Sequence, residues 1–177
     1  MIEQPASDGS REAVFRRWLK EHTGLVFKVA RTFAPGDADR DDLVQEILLQ
    51  LWRSLPRFEG KASESTWVYR VALNSALAWH RNEHKRRTAQ IQSPAIEELP
   101  GPDDPSARER EELVANLYAA IRRLPKVDAA LVLLYLDDLS YREMAEVLGL
   151  SETNVGVKLN RVRKTLADLM KEVPHGR

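Results

Sequence analysis

The sequence predicts an all-α protein made of two small helical domains joined by a proline-rich, acidic linker. Along several segments apolar residues recur at steps of three or four, the period of an amphipathic helix, and no segment alternates strongly as a strand would. Between these segments, Ser93–Pro105 contains four prolines and a glycine, which favour neither helix nor strand. We therefore expect a helical unit over residues 10–90, a linker over 91–106 and a second helical unit over 107–172.

Composition narrows the classes of function. The chain has 177 residues, no cysteine and a formal net charge of zero, so disulfides, thiol nucleophiles and cysteine-based metal sites are excluded. Its longest apolar run, 129–136, is too short to cross a bilayer, and the N-terminus lacks the pattern of a signal peptide. We expect a cytoplasmic protein. No P-loop, G-x-G-x-x-G or Ser-His-Asp arrangement occurs, and we expect neither a cofactor nor a catalytic activity.

Charge is segregated along the chain. Residues 61–92 carry six bases and two acids, whereas residues 93–112 carry seven acids and two bases. The zero net charge therefore says little about the individual surfaces, and a basic N-terminal surface remains compatible with nucleic-acid binding.

In the N-terminal unit, a clear helical periodicity predicts a helix over 41–54. One half of its wheel is apolar and should face a core, with Leu43, Val44, Ile47, Leu48, Leu51 and Trp52. The other half carries Asp42, Gln45, Glu46, Gln50 and Arg53 around a single apolar residue, Leu49. A lone exposed leucine is ordinary on a surface. The alternative is a partner surface, in which an acidic and amide rim surrounds an apolar anchor.

The next helix, predicted over 66–85, is apolar almost all round except for a narrow polar stripe. That stripe consists of Arg70, Asn74, Arg81 and Lys85. A buried helix with one basic stripe can follow a phosphate backbone. The alternative is a core helix whose polar residues merely face water. The loop before the helix, residues 57–65, carries polar groups and Phe58, a composition that can hold an unstacked base.

A competing motif lies in the same helix. His80-Arg81-Asn82-Glu83-His84 fits the H-x-x-E-H pattern of one class of zinc metallopeptidases. A catalytic zinc needs a third protein ligand, and nothing downstream supplies a convincing one. The neighbouring bases also disfavour another cation, so we regard a zinc peptidase as the weakest hypothesis and expect no metal site.

The C-terminal unit contains the most informative stretch, residues 139–155. Ser140 and Glu143 form a capping box for a short helix, Gly149 can end it in the left-handed conformation, and Ser151 caps a second helix. These features predict a helix-turn-helix, the unit that places its second helix in a DNA major groove. Just before it, residues 131–136 have a strand-like composition, but their helical neighbours favour a helix.

The second helix has two faces. Apolar residues from Val155 to Leu169 occupy one arc, and a polar arc lies opposite. Residues on that polar arc could contact phosphates or base edges, and Val157 could contact a thymine methyl; these are Thr153, Asn154, Val157, Lys158, Arg161 and Lys164. The alternative is an ordinary amphipathic helix with a solvated face.

Two sets of motifs resemble the extracytoplasmic-function (ECF) type of bacterial sigma factor. Residues 39–46, Trp52, 57–60 and 66–74 are similar to sigma region 2, and Leu124-Pro125, 139–149 and 155–164 are similar to region 4. The resemblance covers nearly everything except the N-terminal tail and the linker. As in ECF sigma factors, no domain intervenes between the two.

The resemblance implies a promoter-recognition subunit of RNA polymerase. It implies docking on the β′ clamp coiled coil through Asp42, Leu43, Gln45, Glu46, Leu49 and Trp52. Recognition and melting of the minus-ten element would then involve Lys61, Ser63, Trp67, Arg70, Asn74, Arg81 and Lys85. The polar arc of the helix-turn-helix would read the minus-thirty-five element. Further implied partners are the β flap and an anti-sigma factor, often membrane-bound, with the linker along the RNA-exit path.

One departure concerns the recognition helix. It has Asn154-Val155-Gly156-Val157 where many relatives have Thr-Val-Lys-Ser. A helical glycine costs about 1 kcal/mol against alanine, and we expect a close approach to DNA in exchange. The alternative within binding proteins is a helix-turn-helix regulator that does not join polymerase.

Overall fold

A computed structural model describes residues 8–87 and 105–172, with side chains for 9–82 and 106–172. Across these ranges the secondary structure is entirely helical, as predicted. The helices are α1 (Asp8–Phe33), α2 (Asp37–Ser54), α3 (Glu64–Arg87), α4 (Pro105–Arg123), α5 (Lys126–Leu136), α6 (Tyr141–Leu148) and α7 (Glu152–Glu172). A short 3-10 helix, Leu55–Arg57, follows α2.

The N-terminal unit is built from α1, α2 and α3, which all pack against one another. Its core contains Trp18, Val29, Leu43, Ile47 and Leu73, each no more than 1% exposed. The predicted apolar face of α2 is thus confirmed. The helix begins at Asp37, four residues before the predicted start, because Gly36 takes the extended N-cap conformation and Asp37 and Asp39 favour the positive helix N-terminus.

The C-terminal unit contains α4–α7, and α7 contacts each of the other three helices. Residues 126–136 form a helix, which confirms the interpretation of this apolar run. Most of the predicted linker lies outside the described residues. Its last two residues, Pro105 and Ser106, belong to α4. A proline in the first helical turn loses no hydrogen bond and its fixed φ suits a helix, so Pro105 starts the helix instead of preventing it.

The helix-turn-helix has the predicted capping. The Ser140 side chain accepts a hydrogen bond from the Glu143 N–H, and the Glu143 carboxylate accepts from the Ser140 N–H at 2.9 Å. Gly149 ends α6 with φ 66°. The Asn154 N–H donates to Ser151 Oγ at 3.2 Å at the start of α7. These local signals confirm the motif.

The two units are packed together and share one hydrophobic cluster. Buried residues of α3, such as Val68 and Ala72, belong to the same cluster as Leu134 of α5 and Met144 of α6. The helix pairs that connect the units are α3 with α6, and α1 with α4 and α5. The helix-turn-helix therefore lies directly against the N-terminal unit.

Candidate functional site

A groove of about 1060 Å³ lies on the surface between α2 and α3. The predicted polar face of α2 lines it with Asp42, Gln45, Glu46 and Leu49. Leu49 is 42% exposed, and Gln50 donates a 2.8 Å hydrogen bond that orients the Glu46 carboxylate. An exposed apolar side chain within an acidic rim fits a partner that offers both apolar and basic groups.

Two residues of the predicted docking set do not lie on this surface. Leu43 is completely buried, so it supports α2 from the core and offers nothing to a partner. Trp52 packs edge-on against Phe15 with ring centroids 5.3 Å apart, and the Arg11 guanidinium lies 4.3 Å from its ring centre. The family resemblance had assigned both to docking, whereas helical periodicity had placed both on the apolar face of α2, and the structure agrees with the periodicity.

The loop before α3 is fixed by the cap of that helix. Ser63 Oγ accepts from the Thr66 N–H at 3.1 Å, so its predicted DNA-binding hydroxyl already serves the helix N-terminus. Gly60 has φ 69°, a conformation that favours glycine at this turn. Lys61 is exposed and forms an ion pair with Glu59.

Trp67 packs against the end of α2 and the start of this loop. Its indole N–H donates to Ser54 Oγ at 3.1 Å, and its ring lies 5.6 Å from that of Phe58. The Arg70 guanidinium lies 5.9 Å from the Trp67 ring centre. Trp67 and Arg70 therefore form a neighbouring aromatic and basic pair on the same side of α3, a combination suited to stacking a base and contacting its phosphate.

The remaining stripe on α3 is divided. Asn74 is exposed, but it lines the groove beside α2 together with Asp42 and Leu49. Arg81 is exposed further along the helix. The side chains of Lys85, and of Glu83 and His84 in the metallopeptidase motif, lie outside the described residues. Asn74 is thus placed to contact whatever occupies the groove, and the stripe is not one continuous surface.

The recognition helix α7 presents most of its predicted polar arc to solvent. Thr153, Asn154, Arg161 and Lys164 are exposed, and Val157 is 58% exposed. Lys158 differs from its neighbours because its Nζ lies 3.5 Å from Asp128 Oδ1 of α5. The arc is therefore available for DNA, with Lys158 partly neutralised within the chain.

Gly156 lies beside an aromatic side chain from the first helix of the motif. A Cβ at this position would meet Cε2 of Tyr141 at 3.4 Å. Tyr141 is the first residue of α6 and is 47% exposed. A Cβ would make only an ordinary van der Waals contact with this ring, so packing within the chain does not require glycine here, and the close approach to DNA stays a prediction.

The polar contacts between the two units centre on Asp137. Its carboxylate accepts hydrogen bonds from Lys28 Nζ of α1 and from the Tyr69 hydroxyl of α3. Burial, together with this hydrogen bond and the negative charge of Asp137, raises the pKa of Tyr69 far above its usual range. Sequence reasoning missed these residues, since Lys28 and Asp137 are 109 positions apart and neither belongs to a recognisable motif.

A second set of contacts joins α3 to α6. The Arg70 guanidinium donates to the Glu146 carbonyl at 3.1 Å and to its Oε1 at 3.0 Å. Thr66 Oγ1 donates to Glu143 Oε1 at 3.4 Å. Hydrogen bonds from the Ser140 hydroxyl and N–H lower the pKa of Glu143, so it is an anion at neutral pH.

Among the described residues, one group of side chains has the composition of a metal site: Glu21, His22 and Glu64. Their ligand atoms lie within 4.8 Å of one another, and Arg17 already forms an ion pair with Glu64. The positive charge of the Arg17 guanidinium opposes the binding of a cation here. No described helix has the length and apolar character needed to cross a membrane.

Comparison with known proteins gives two family matches. The family model Sigma-70 region 2 matches residues 18–87, and the model Sigma-70, region 4 matches residues 115–166. The first match covers most of α1 and all of α2 and α3. The second runs from α4 to α7 and contains the whole helix-turn-helix.

Several characterised proteins are similar in sequence. The chain is 28% identical to the ECF RNA polymerase sigma factor SigE of Mycolicibacterium smegmatis, over 86% of this chain and 60% of the relative. It is 26% identical to the RNA polymerase sigma factor CnrH of Cupriavidus metallidurans, over 93% of this chain and 90% of the relative. For SigG of Mycobacterium tuberculosis it is 30% identical but spans only 41% of that protein.

Two solved structures share the fold. RpoE from Bartonella quintana, in complex with the anti-sigma factor NepR, has a TM-score of 0.70 at 18% identity, over 90% of this chain and 98% of that chain. CnrH in complex with the cytosolic domain of CnrY has a TM-score of 0.65 at 21% identity, over 92% and 91%.

Proposed function

Because the chain belongs to the sigma-70 family of transcription initiation factors, and to its ECF type, we propose that it binds core RNA polymerase and directs it to specific promoters. The observation that carries this proposal is the presence of both family regions, in order, over most of the described residues. A helix-turn-helix regulator would account for the C-terminal match alone.

The groove between α2 and α3 is the proposed docking site for the β′ clamp coiled coil. Leu49 supplies an apolar contact, and Asp42 and Glu46 offer carboxylates to basic residues of the partner. Exposed acidic groups around an apolar centre favour both the rate and the register of association with a basic helix. Asn74, across the groove on α3, adds a neutral donor and acceptor.

The two DNA elements are assigned to different helices. We infer that Trp67 and Arg70 on α3, with Lys61 and Arg81, contact the minus-ten element during melting. A base captured against an aromatic ring would offset part of the cost of unpairing. The exposed arc of α7 would read the minus-thirty-five element, with Asn154 and Val157 at base edges and Arg161 and Lys164 at phosphates.

Control by an anti-sigma factor is the final part of the proposal. The structural relative RpoE was solved in complex with the anti-sigma factor NepR, and CnrH was solved with the cytosolic domain of CnrY. Region 4 of this chain is proposed to make a second contact with polymerase, at the β flap. The proposal contains no catalytic step by this chain.

The docking proposal is tested by retention on immobilised core polymerase. Leu49→Asp places a charge at the apolar centre of the groove, and we expect its retention to fall at least tenfold. Leu113→Asp is the matched control, because Leu113 is also exposed, at 57%, but lies on α4 away from the groove. Equal retention of the two variants would overturn the assignment of the groove.

A further inference from the structure

A cluster of bases lies where the two units meet, and it has no part in the surfaces assigned to polymerase or DNA. Among the residues that the structure describes, this basic cluster consists of Arg31 of α1, Arg40 of α2, Arg122 of α4 and Lys126 of α5. Its helices come from both units, and α1 packs against both α4 and α5. Each of the four residues is partly buried, whereas Arg161 on the recognition arc is exposed.

The four bases are close enough to repel one another. Burial, followed by the positive charges of Arg31 and Arg40, lowers the pKa of Arg122. Burial and the charge of Arg122 likewise lower the pKa of Lys126. Repulsion between like charges is stronger in a partly buried position, because less water is present to screen it. Arg122 is thus the centre of the cluster, within range of the other three bases.

Aromatic rings, and not acids, hold two of these bases in place. The Arg31 guanidinium lies 4.4 Å from the centre of the Tyr118 ring, and Lys126 Nζ lies 6.0 Å from the centre of the Phe33 ring. A ring face attracts a cation but leaves its charge in place. The ion pairs among the described side chains, 9–82 and 106–172, include none of Arg31, Arg122 and Lys126.

The charge of Arg40 is only partly compensated. Its terminal nitrogens lie 3.0 Å from the Asp37 carboxylate and 3.0 Å from the Pro35 carbonyl. The Asp37 side chain is 78% exposed, so water screens much of the charge that it offers. The Nε of Arg40 is buried and has no hydrogen-bond partner among the described residues. The basic cluster therefore keeps an excess of positive charge.

The start of α5 adds to this positive charge. Lys126 is the first residue of the helix, and its N-cap, Pro125, makes no side-chain cap hydrogen bond. The free N–H groups at a helix N-terminus carry a partial positive charge and favour anions. Asp128 in the same turn offsets part of this charge, but it also pairs with Lys158 at 3.5 Å.

We propose that the basic cluster is a binding site for a compact, multiply charged phosphate anion that bridges the two units. Guanidinium groups bind phosphate oxygens through directed, charge-assisted hydrogen bonds. A nucleic-acid backbone is the less suitable partner, because it is bound by exposed bases along a surface, and these four bases are partly buried around one centre. The bound anion stabilises the native chain, since the unfolded chain does not assemble the site.

Isothermal titration calorimetry of the full chain with inorganic pyrophosphate tests this site, with the ionic strength held constant by chloride. We expect saturable binding, weakened about tenfold or more by Arg122→Gln, which removes the centre of the cluster. Arg123→Gln is the matched control. It removes the same charge from the next residue, but the Arg123 side chain is 53% exposed and pairs with Glu172. Equal weakening by both variants, or no saturable binding by the unaltered chain, would overturn the site.

Thermal unfolding checks the same site without calorimetry. In the absence of the anion, Arg122→Gln should unfold at the same temperature as the unaltered chain or at a higher one, because it relieves repulsion. Pyrophosphate should raise the unfolding temperature of the unaltered chain and of Arg123→Gln, but not that of Arg122→Gln. An equal rise with chloride at the same ionic strength would show general screening and would overturn the site.

Two further ligands identify the source of the phosphate. Tighter binding of ADP than of pyrophosphate would identify a nucleotide, and equal binding would identify the diphosphate alone; both results support the site. A random-sequence duplex that binds through Arg122 and is not displaced by pyrophosphate would assign the cluster to a nucleic-acid backbone and overturn the compact anion. None of the four bases belongs to the groove or to the assigned DNA contacts, so failure here would leave the proposed function intact.

Discussion

Replacement of Asp137 by alanine tests whether the two units are packed together in the native state. The change removes the hydrogen-bond acceptor of the Tyr69 hydroxyl. Tyr69 is only 1% exposed, and a buried hydroxyl without a partner costs about 1–3 kcal/mol. The change also removes the ion pair with Lys28. The Lys28 and Asp137 side chains are 31% and 23% exposed, so after allowance for solvent screening this loss adds up to about 1 kcal/mol. We therefore expect a loss of about 1–4 kcal/mol in the free energy of unfolding.

The assay is urea unfolding followed by circular dichroism, with linear extrapolation to water. Tyr69→Phe removes the donor instead of the acceptor and should cost only about 1 kcal/mol, because no buried polar group is left unpaired. The double variant Asp137→Ala, Tyr69→Phe has no unpaired hydroxyl. Its loss in the free energy of unfolding should therefore be smaller than the sum of the two single losses. A change below about 0.5 kcal/mol for Asp137→Ala, with additive behaviour in the cycle, would refute the packed arrangement.

Three further predictions concern individual residues. Arg81→Ala should reduce permanganate reactivity of the promoter bubble while retention on core polymerase is unchanged; an unchanged footprint would remove Arg81 from the minus-ten surface. Ser140→Ala should destabilise the protein by about 1 kcal/mol at pH 7. The Ser140 bonds lower the pKa of Glu143 below its ordinary value of 4.5, so this difference should persist above pH 4.5 and shrink as pH falls further; a constant difference in urea titrations would contradict it. Gly156→Ala should stabilise α7 by up to about 1 kcal/mol, since its Cβ would make an ordinary 3.4 Å contact with Tyr141; thermal unfolding at a lower temperature would show that the contact is too tight.

The local features of the fold could be predicted because their causes lie within a few residues. The capping box needs only Ser140 and Glu143, and Gly149 ends α6 for a reason intrinsic to glycine. The face of α2 that lines the groove could also be predicted, because helical periodicity alone separates the exposed Leu49 from the buried Leu51. Such signals depend on the order of residues along one helix.

The contacts that the sequence did not predict share a different cause. Trp52 follows the docking face closely in sequence, but contacts with Phe15 and Arg11 of α1 decide where its ring lies. Lys158 was assigned to the DNA-binding arc, and no motif marks Asp128, 30 positions earlier in the chain and 3.5 Å away in space, as its partner. Contacts between helices depend on tertiary packing, which periodicity does not encode.

The packing of the two units was the least predictable feature. A proline-rich segment between them suggested separate domains, and nothing in the motif of α6 marks Glu146 as a partner for Arg70. The acids of α6 are ordinary for a solvated helix face, and only the placement of α3 gives them a specific role. The contact between Arg70 and Glu146 therefore follows from tertiary packing and not from the motifs.

The central claim is that this chain redirects RNA polymerase, and run-off transcription on genomic fragments tests it most directly. Core polymerase is assayed alone, with the chain and with the Leu49→Asp variant, and the transcripts are mapped at their 5′ ends. We predict discrete start sites that require the chain and are lost with the variant. Identical transcripts with and without the chain, together with no retention on core polymerase, would contradict the account.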